Sequence, residues 1–225
     1  MIMVGSKEEM VLRYCKGADV LDIGCVQLLG DFTTENLKQT LHYRIRSVAK
    51  RLVGVDLEED GVNGLNKLGC ECYSTLVEDA HKLDIGEFDI ILLGDIIEHI
   101  PDPSSFIISL HSFLKSNGLL ICTTPNALAY SNPLFILFNR ELTRKQHVAW
   151  YCRVTLTNLF KLSGFSLHEM HFCSFAKTAN NPARKTLDYL LCNLREELSP
   201  HLFGVFKKMK SWNKVELQKQ RLFHD

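Results

Sequence analysis

The stretch FDIILLG at 88–94 constrains the fold more than any other part of the chain. It lacks the polar alternation of a half-exposed strand, so as a strand it must be covered on both faces. That is the habit of parallel sheets, whose crossover connections lay helices above and below. The rest of the chain supplies matching pieces: ADVLDIG (18–24), LVGVD (52–56), CECYST (70–75) and LLICTT (119–124) read as further strands separated by helix-length segments. The alternation predicts an α/β fold. Ser6-Lys7-Glu8-Glu9 has the spacing of a capping box and opens a helix to about Tyr14. Residues 33–51 carry Leu37, Leu41, Ile45 and Val48 at helical spacing and predict one helix. Others pass through Val62, Leu65 and Leu68, run from Pro103 to Leu114 before an Asn117-Gly118 turn, and cover 155–165, where Gly164 stops the helix. Two late strands, near 166–174 and 201–207, flank a helix at about 183–197.

With 225 residues, 46% of them hydrophobic, the chain can bury one substantial core. Its 26 basic and 26 acidic residues cancel, so no global field draws it to nucleic acid, which is not an expected partner. The eight cysteines include no Cys-x-x-Cys pair, and Cys25, Cys122 and Cys173 lie in or beside apolar runs. They read as reduced, small core residues of a cytoplasmic protein. Cys70-x-Cys72 has no second pair or histidine cluster near it in sequence, which argues against zinc, and no metal is predicted. Charges at Lys7, Glu8 and Glu9 come too early for a signal peptide, and no apolar run is long enough to span a bilayer.

A strand, a glycine turn and a second strand ending in an acid form a device for an adenosine cofactor. Gly24 permits close approach of backbone amides, and Asp56 can accept two ribose hydroxyls. Asp79, after the third strand, can accept from an adenine amino group or serve only as a helix cap.

The segments VLDIGC (20–25), VGVDLEEDGV (53–62), VEDAHKL (77–83), FDIILLGDIIEHIPDP (88–103), GLLICTTPN (118–126), HVAWYCRVTLTNLFKLSGF (147–165) and LSPHLFGVFKK (198–208) follow in an order that resembles the class I S-adenosylmethionine-dependent methyltransferases. The resemblance is to the branch with the ubiquinone and menaquinone biosynthesis enzymes and small-molecule and sugar methyltransferases. It implies a Rossmann-like three-layer sandwich, an α/β fold whose seven-stranded sheet has the order 3-2-1-4-5-7-6 with strand 7 antiparallel. It also implies S-adenosyl-L-methionine as cofactor, S-adenosyl-L-homocysteine as product and a small-molecule acceptor. By the same resemblance Asp22 and Gly24 shape the methionine end, with Cys25 and Val26 in the loop. Asp56 and Leu57 border the ribose, Asp79 and Ala80 the adenine, and Gly94 and Asp95 lie beneath the methionine. The family usually reads Asp-x-Gly-Cys-Gly-x-Gly, whereas Val26 stands at the second glycine and the next is Gly30. A β-branched residue resists positive φ. The long segment 31–51 favours a rebuilt loop that still binds over a degraded one.

Glu98 and His99 fall at the carboxyl end of the fourth strand, where open α/β sheets bind ligands. His99 can act as general base with Glu98 orienting it or helping to hold a divalent ion; alternatively both only brace the loop. His147 is a third catalytic candidate or a structural histidine steadying a cap. No Asn-Pro-Pro-aromatic tetrad follows the fourth strand, which weighs against nucleobase or protein-amide acceptors. The expected organisation is one methyltransferase domain over 1–210, with an acceptor-side cap at about 126–150, and a basic tail over 211–225. Within the cap, PLFILF (133–138) lines an apolar pocket, rests peripherally on a membrane or, as the plainer expectation, forms a buried lid segment; Arg140, Arg144 and Lys145 can meet an anionic group. The expected reaction is O-methylation. The alternatives are a non-catalytic S-adenosylmethionine-binding subunit and a nicotinamide oxidoreductase, the latter disfavoured because residues 24–29 are not Gly-x-Gly-x-x-Gly.

Overall fold

Strand β4 (Phe88–Gly94) lies in the middle of a seven-stranded sheet, as its apolar sequence requires. The computed structural model describes residues 6–27, 30–76, 79, 82–140, 143–174 and 182–210, with the backbone alone at 183 and 184. The other strands are β1 (Asp19–Ile23), β2 (Arg51–Asp56), β3 (Glu71–Ser74), β5 (Leu114–Pro125), β6 (Phe165–Cys173) and β7 (His201–Lys208). Their order is β3-β2-β1-β4-β5-β7-β6, as expected. Strands β1 to β5 pair in parallel, and β7 runs antiparallel to both β5 and β6.

Period-2 alternation sorts side chains onto the two faces. Leu21, Ile23, Ile91 and Leu93 pack against helices α5 (Pro103–Ser109) and α7 (Arg153–Leu162) through Phe106, Ile107, Leu156 and Phe160. Val20, Ile90 and Leu92 pack on the other face against Met10 and Val11 of α1 (Lys7–Cys15) and Ile45 of α3 (Leu41–Ile45). The capping box at the start of α1 is present, with Ser6 and Glu9 each accepting from the other's backbone N–H.

The single helix expected over 33–51 is instead two short ones, α2 (Thr34–Gln39) and α3. Thr40 breaks it by adopting extended backbone (φ −60°, ψ 150°) and accepting the Tyr43 amide with its hydroxyl. A threonine hydroxyl competes well for such a start. The expected helix from Pro103 ends at Ser109 and passes into a 3-10 turn, Leu110–Phe113. Asn117-Gly118 is not a separate turn but lies in a bulge of β5, where the ladder jumps from Phe88↔Leu114 to Ile90↔Leu119.

Among the described residues the remaining α-helices are α4 (Glu59–Lys67), α6 (Ser131–Ile136) and α8 (Pro182–Leu194). The plainer expectation of a buried lid at 133–138 is overturned: α6 buries no residue, and Ile136, Leu137 and Phe138 are 64%, 81% and 72% exposed. Among the described residues, no helix is long and apolar enough to cross a membrane. The basic tail expected over 211–225 lies outside the described residues.

Candidate active site

The carboxyl ends of β1, β2, β4 and β5 open onto three adjoining cavities of 520, 440 and 290 Å³. His99 lines all three. The largest has an apolar wall that includes Leu57, Leu76, Ile100 and Phe106, with Asp56 at its edge. Asp56 also faces the second cavity, together with Gly24, Gly94 and Asp95. The third is bounded by Asp95, Glu98, His99, Asn126, His147 and Trp150, among others.

The loop after β1 explains Val26. Gly24 has φ 78°, and a Cβ there would stand 2.9 Å from Ile96 Cδ1, so this glycine is required. Val26 is not among the positive-φ residues; Gln27 takes that conformation instead, at φ 55°. The Val26 side chain is 1% exposed and packs with Leu37, Val62 and Leu65. It faces Gly61 of α4, where a Cβ would come within 2.3 Å of Val26 Cγ1. Its N–H donates to Asp56 Oδ2 at 2.9 Å, while Glu58 N–H donates to Oδ1 at 3.0 Å. The valine is therefore a buried packing residue whose N–H also holds the Asp56 carboxylate. Gln27 accepts the Leu41 N–H at 3.2 Å and its amide nitrogen lies against Gly94.

Asp95 also sits at positive φ, 52°. Its N–H and a carboxylate oxygen engage the Thr123 hydroxyl, at 3.1 and 2.8 Å, and the other oxygen pairs with Lys7 of α1. Burial pushes the Asp95 carboxyl up, but the Lys7 ammonium and the Thr123 hydrogen bond outweigh it and hold the group below the ordinary carboxylate value. His201, 4.0 Å away, is pushed down to about 4, chiefly by burial, so it is neutral and Lys7 carries the compensating charge.

Glu98 and His99 lie in a 3-10 turn, Ile97–His99. Glu98 is 2% exposed and accepts the Thr124 hydroxyl at 2.9 Å. Burial, reinforced by the charge of Asp95, raises its carboxyl to about 7. His99 is oriented not by Glu98 but by the Gln146 carbonyl, which accepts from Nδ1 at 3.1 Å. The His147 ring meets His99 edge-on, centroids 4.8 Å apart. Burial, then His99 and Arg144, push His147 below the usual imidazole value. Ligating atoms of Glu98, His99 and His147 all lie within 4.8 Å of one another.

The cleft thus gathers Gly24, Asp56, Leu57, Gly94, Asp95, Glu98, His99 and His147. Asp22, Cys25 and Val26 are buried and line none of the three cavities. Asp22 instead bonds His42 Nδ1 at 2.9 Å. Asp79 pairs with Lys82 outside the cavity walls, and Ala80 lies outside the described residues. Sequence reasoning missed Lys7, Gln27 and Thr123. Of these only Lys7 had a signal, its place beside a capping box that fixes the start of α1.

Residues 8–170 match the methyltransferase-domain family. A ubiquinone biosynthesis O-methyltransferase from Glaesserella parasuis is 32% identical over 135 residues, 54% of this chain and 51% of that protein. One from Ruegeria pomeroyi is 36% identical over 156 residues, 65% of this chain and 58% of that protein. The chain spans little more than half the length of these relatives. An S-adenosylmethionine-dependent methyltransferase from Archaeoglobus fulgidus shares the fold at a TM-score of 0.58, with 16% identity, over 90% of this chain and 95% of that one. The chain belongs to the methyltransferase-domain family, within the class I S-adenosylmethionine-dependent methyltransferases.

Proposed function

We propose that the chain transfers the methyl group of S-adenosyl-L-methionine to an oxygen of a small-molecule acceptor. The donor set suits the cofactor: Asp56 for the ribose hydroxyls, an apolar slot at Leu57, Leu76 and Phe106 for a flat base, and Asp95 for a cationic centre. When bound, the cofactor supplies a methyl on a sulfonium, already activated toward a nucleophile. What remains for the protein is to position the acceptor, exclude water and take up a proton.

The observation that carries the oxygen assignment is that His99, its Nδ1 held by Gln146, and the buried Glu98 line the same third cavity. An amine acceptor that is already neutral needs no base, whereas a hydroxyl does. His99 Nε2 receives the acceptor proton while Gln146 holds the ring in the required tautomer. Glu98, raised to about 7 chiefly by burial, is a second proton site. Residues 126–150 form the acceptor side. Asn126 anchors their base by donating to the Glu197 and Ser199 carbonyls at 2.7 and 2.8 Å, and the exposed Ile136, Leu137 and Phe138 suit peripheral contact with an apolar phase that carries the acceptor.

The test is S-adenosylhomocysteine formation across a panel of phenols, catechols and other hydroxylated acceptors. His99→Ala should lower turnover by about 10² to 10⁴ with cofactor affinity nearly intact. Full turnover by that variant removes the base. A second reading, a divalent ion at Glu98, His99 and His147, is favoured by their convergence within 4.8 Å. A chelator that abolishes turnover, reversed by added metal, selects it. Cofactor binding without turnover on any acceptor selects the non-catalytic subunit.

A further inference from the structure

Beneath the cofactor loop, on the face opposite the apolar slot, three segments distant in sequence bring sulfur and imidazole together. Asp22 of β1, Gly54 of β2 and Cys72 of β3 are direct cross-strand neighbours. Gly54 has no side chain, and the space is taken by its surroundings: a Cβ there would lie 2.7 Å from Cys25 Sγ, 2.8 Å from Cys72 Sγ and 2.8 Å from His42 Cε1. His42 Nε2 stands 3.3 Å from Cys72 Sγ. The ligating atoms of Cys25, His42 and Cys72 all lie within 4.8 Å of one another, and all three residues are buried. Cys70, just before β3 and only partly buried, also interacts with His42 and Cys72 at the edge of this trio.

Asp22 gives the cluster its direction. It is fully buried, lines none of the cavities, and accepts from His42 Nδ1 at 2.9 Å, so the ring turns Nε2 toward the thiols. Its other oxygen has no hydrogen-bond partner among the described residues. A buried carboxylate is costly unless a partner compensates it; His42 is that partner, and what the pair adds is a second ring nitrogen turned toward the buried thiols. A carboxylate that fixes the tautomer of a ligating histidine is the usual outer partner of a zinc ligand.

We propose that Cys25, His42 and Cys72 bind a structural zinc ion, with the neighbouring Cys70 closing on it as fourth ligand and Asp22 orienting His42. Three sulfurs and one imidazole are a recognised tetrahedral zinc set, with ligand bonds of about 2.0 to 2.3 Å. Binding displaces one proton from each coordinating thiol to solvent and leaves the oxidation states unchanged. The ion ties the loop after β1 to α3 and β3. It holds Cys25, next to Val26, in the loop where the family's usual second glycine is missing. Spacing alone hides the site, because the histidine and third thiol that Cys70-x-Cys72 lacks in sequence arrive only on folding.

The test uses the whole chain, produced in zinc-supplemented medium and purified without chelator. Elemental analysis should find about one zinc per chain beyond any metal that Glu98→Gln removes. Exchange for cobalt should give thiolate-to-cobalt charge transfer and tetrahedral d–d bands. A metal at Glu98, His99 and His147 cannot give the sulfur band, so the two sites are distinguishable. Cys25→Ser with Cys72→Ser should abolish the sulfur band, and Cys152→Ser should keep it. No zinc and no sulfur-to-cobalt band in the folded wild-type chain overturns the proposal. So does a Cys25–Cys72 disulfide in alkylation-trapped protein, or a sulfur band that survives the double substitution.

Discussion

If Val26 is a packing residue, its partner is Gly61, and the pair can be tested by a thermodynamic cycle. Gly61→Ala places a methyl 2.3 Å from Val26 Cγ1, 2.9 Å from Cγ2 and 3.1 Å from Phe32 Cε1. Overpacking of this kind costs about 1 to 3 kcal/mol, offset by roughly 1 kcal/mol because alanine outranks glycine inside a helix such as α4. Val26→Ala removes two buried methyls at about 0.8 kcal/mol each, plus a cavity contribution, for roughly 2 to 3 kcal/mol. In the double variant the new methyl fills part of the space and its two closest contacts are gone. The double should therefore be more stable than the sum of the singles by about 1 to 2 kcal/mol. Urea midpoints of the four proteins, with equal m-values, measure this. Additivity within about 0.5 kcal/mol would refute the packing role. Val26→Gly, which restores the family's usual residue, should weaken cofactor binding rather than improve it, because it loosens the backbone that delivers an N–H to Asp56.

The remaining expectations concern charge and surface. Glu98 has a folded value of about 7 against an ordinary 4.5, so its native state binds the extra proton. Its contribution to stability is fully present below about pH 4.5 and is lost as pH rises to about 7, amounting to roughly 3 kcal/mol. His201, lowered to about 4, slopes the opposite way over pH 4 to 6.5, so the comparison must be wild type against Glu98→Gln, with the variant gaining most at pH 8. An equal difference at pH 4 and pH 8 would dismiss the shift. Lys7→Met should raise the Asp95 pKa and, at pH 8 where Asp95 stays ionised, raise cofactor affinity by up to several-fold in calorimetry. It removes the ammonium that competes with the cofactor's cationic centre for this carboxylate, and a loss of affinity would contradict the role given to Asp95. Leu137→Glu with Phe138→Glu should abolish co-flotation with neutral vesicles while turnover on a water-soluble acceptor is unchanged. Equal flotation of both proteins would exclude membrane contact through this segment.

Fold and site were legible to different depths. The strand order could be anticipated only through the family resemblance that the ordered motif segments carry, whereas FDIILLG by itself required no more than cover on both faces. Local chemistry was readable where a side chain acts on backbone a turn away, as at Ser6 and Glu9. The break at Thr40 was not, since Leu37, Leu41 and Ile45 keep helical spacing across it and only the threonine hydroxyl distinguishes the two outcomes. At Val26 the length of 31–51 favoured a rebuilt loop over a degraded one, but the packing role itself was hidden, because it depends on Gly61 and Leu37, which only folding brings near. Asp22 carries the family's spacing, yet its nearest partner is His42, twenty residues on, on a helix whose start the pattern conceals. The orientation of His99 by a main-chain carbonyl, that of Gln146, has no sequence signature at all.

The central claim is that the rebuilt loop presents Asp56 for cofactor binding. Titration calorimetry of S-adenosylmethionine into wild type and Asp56→Ala tests it most directly. Wild type should bind at one site per chain, and the variant should lose about 1 to 3 kcal/mol, since it removes both a charged acceptor and the partner of the Val26 N–H. Absence of saturable binding to the folded wild-type chain, or equal affinity in a well-folded Asp56→Ala variant, would contradict it.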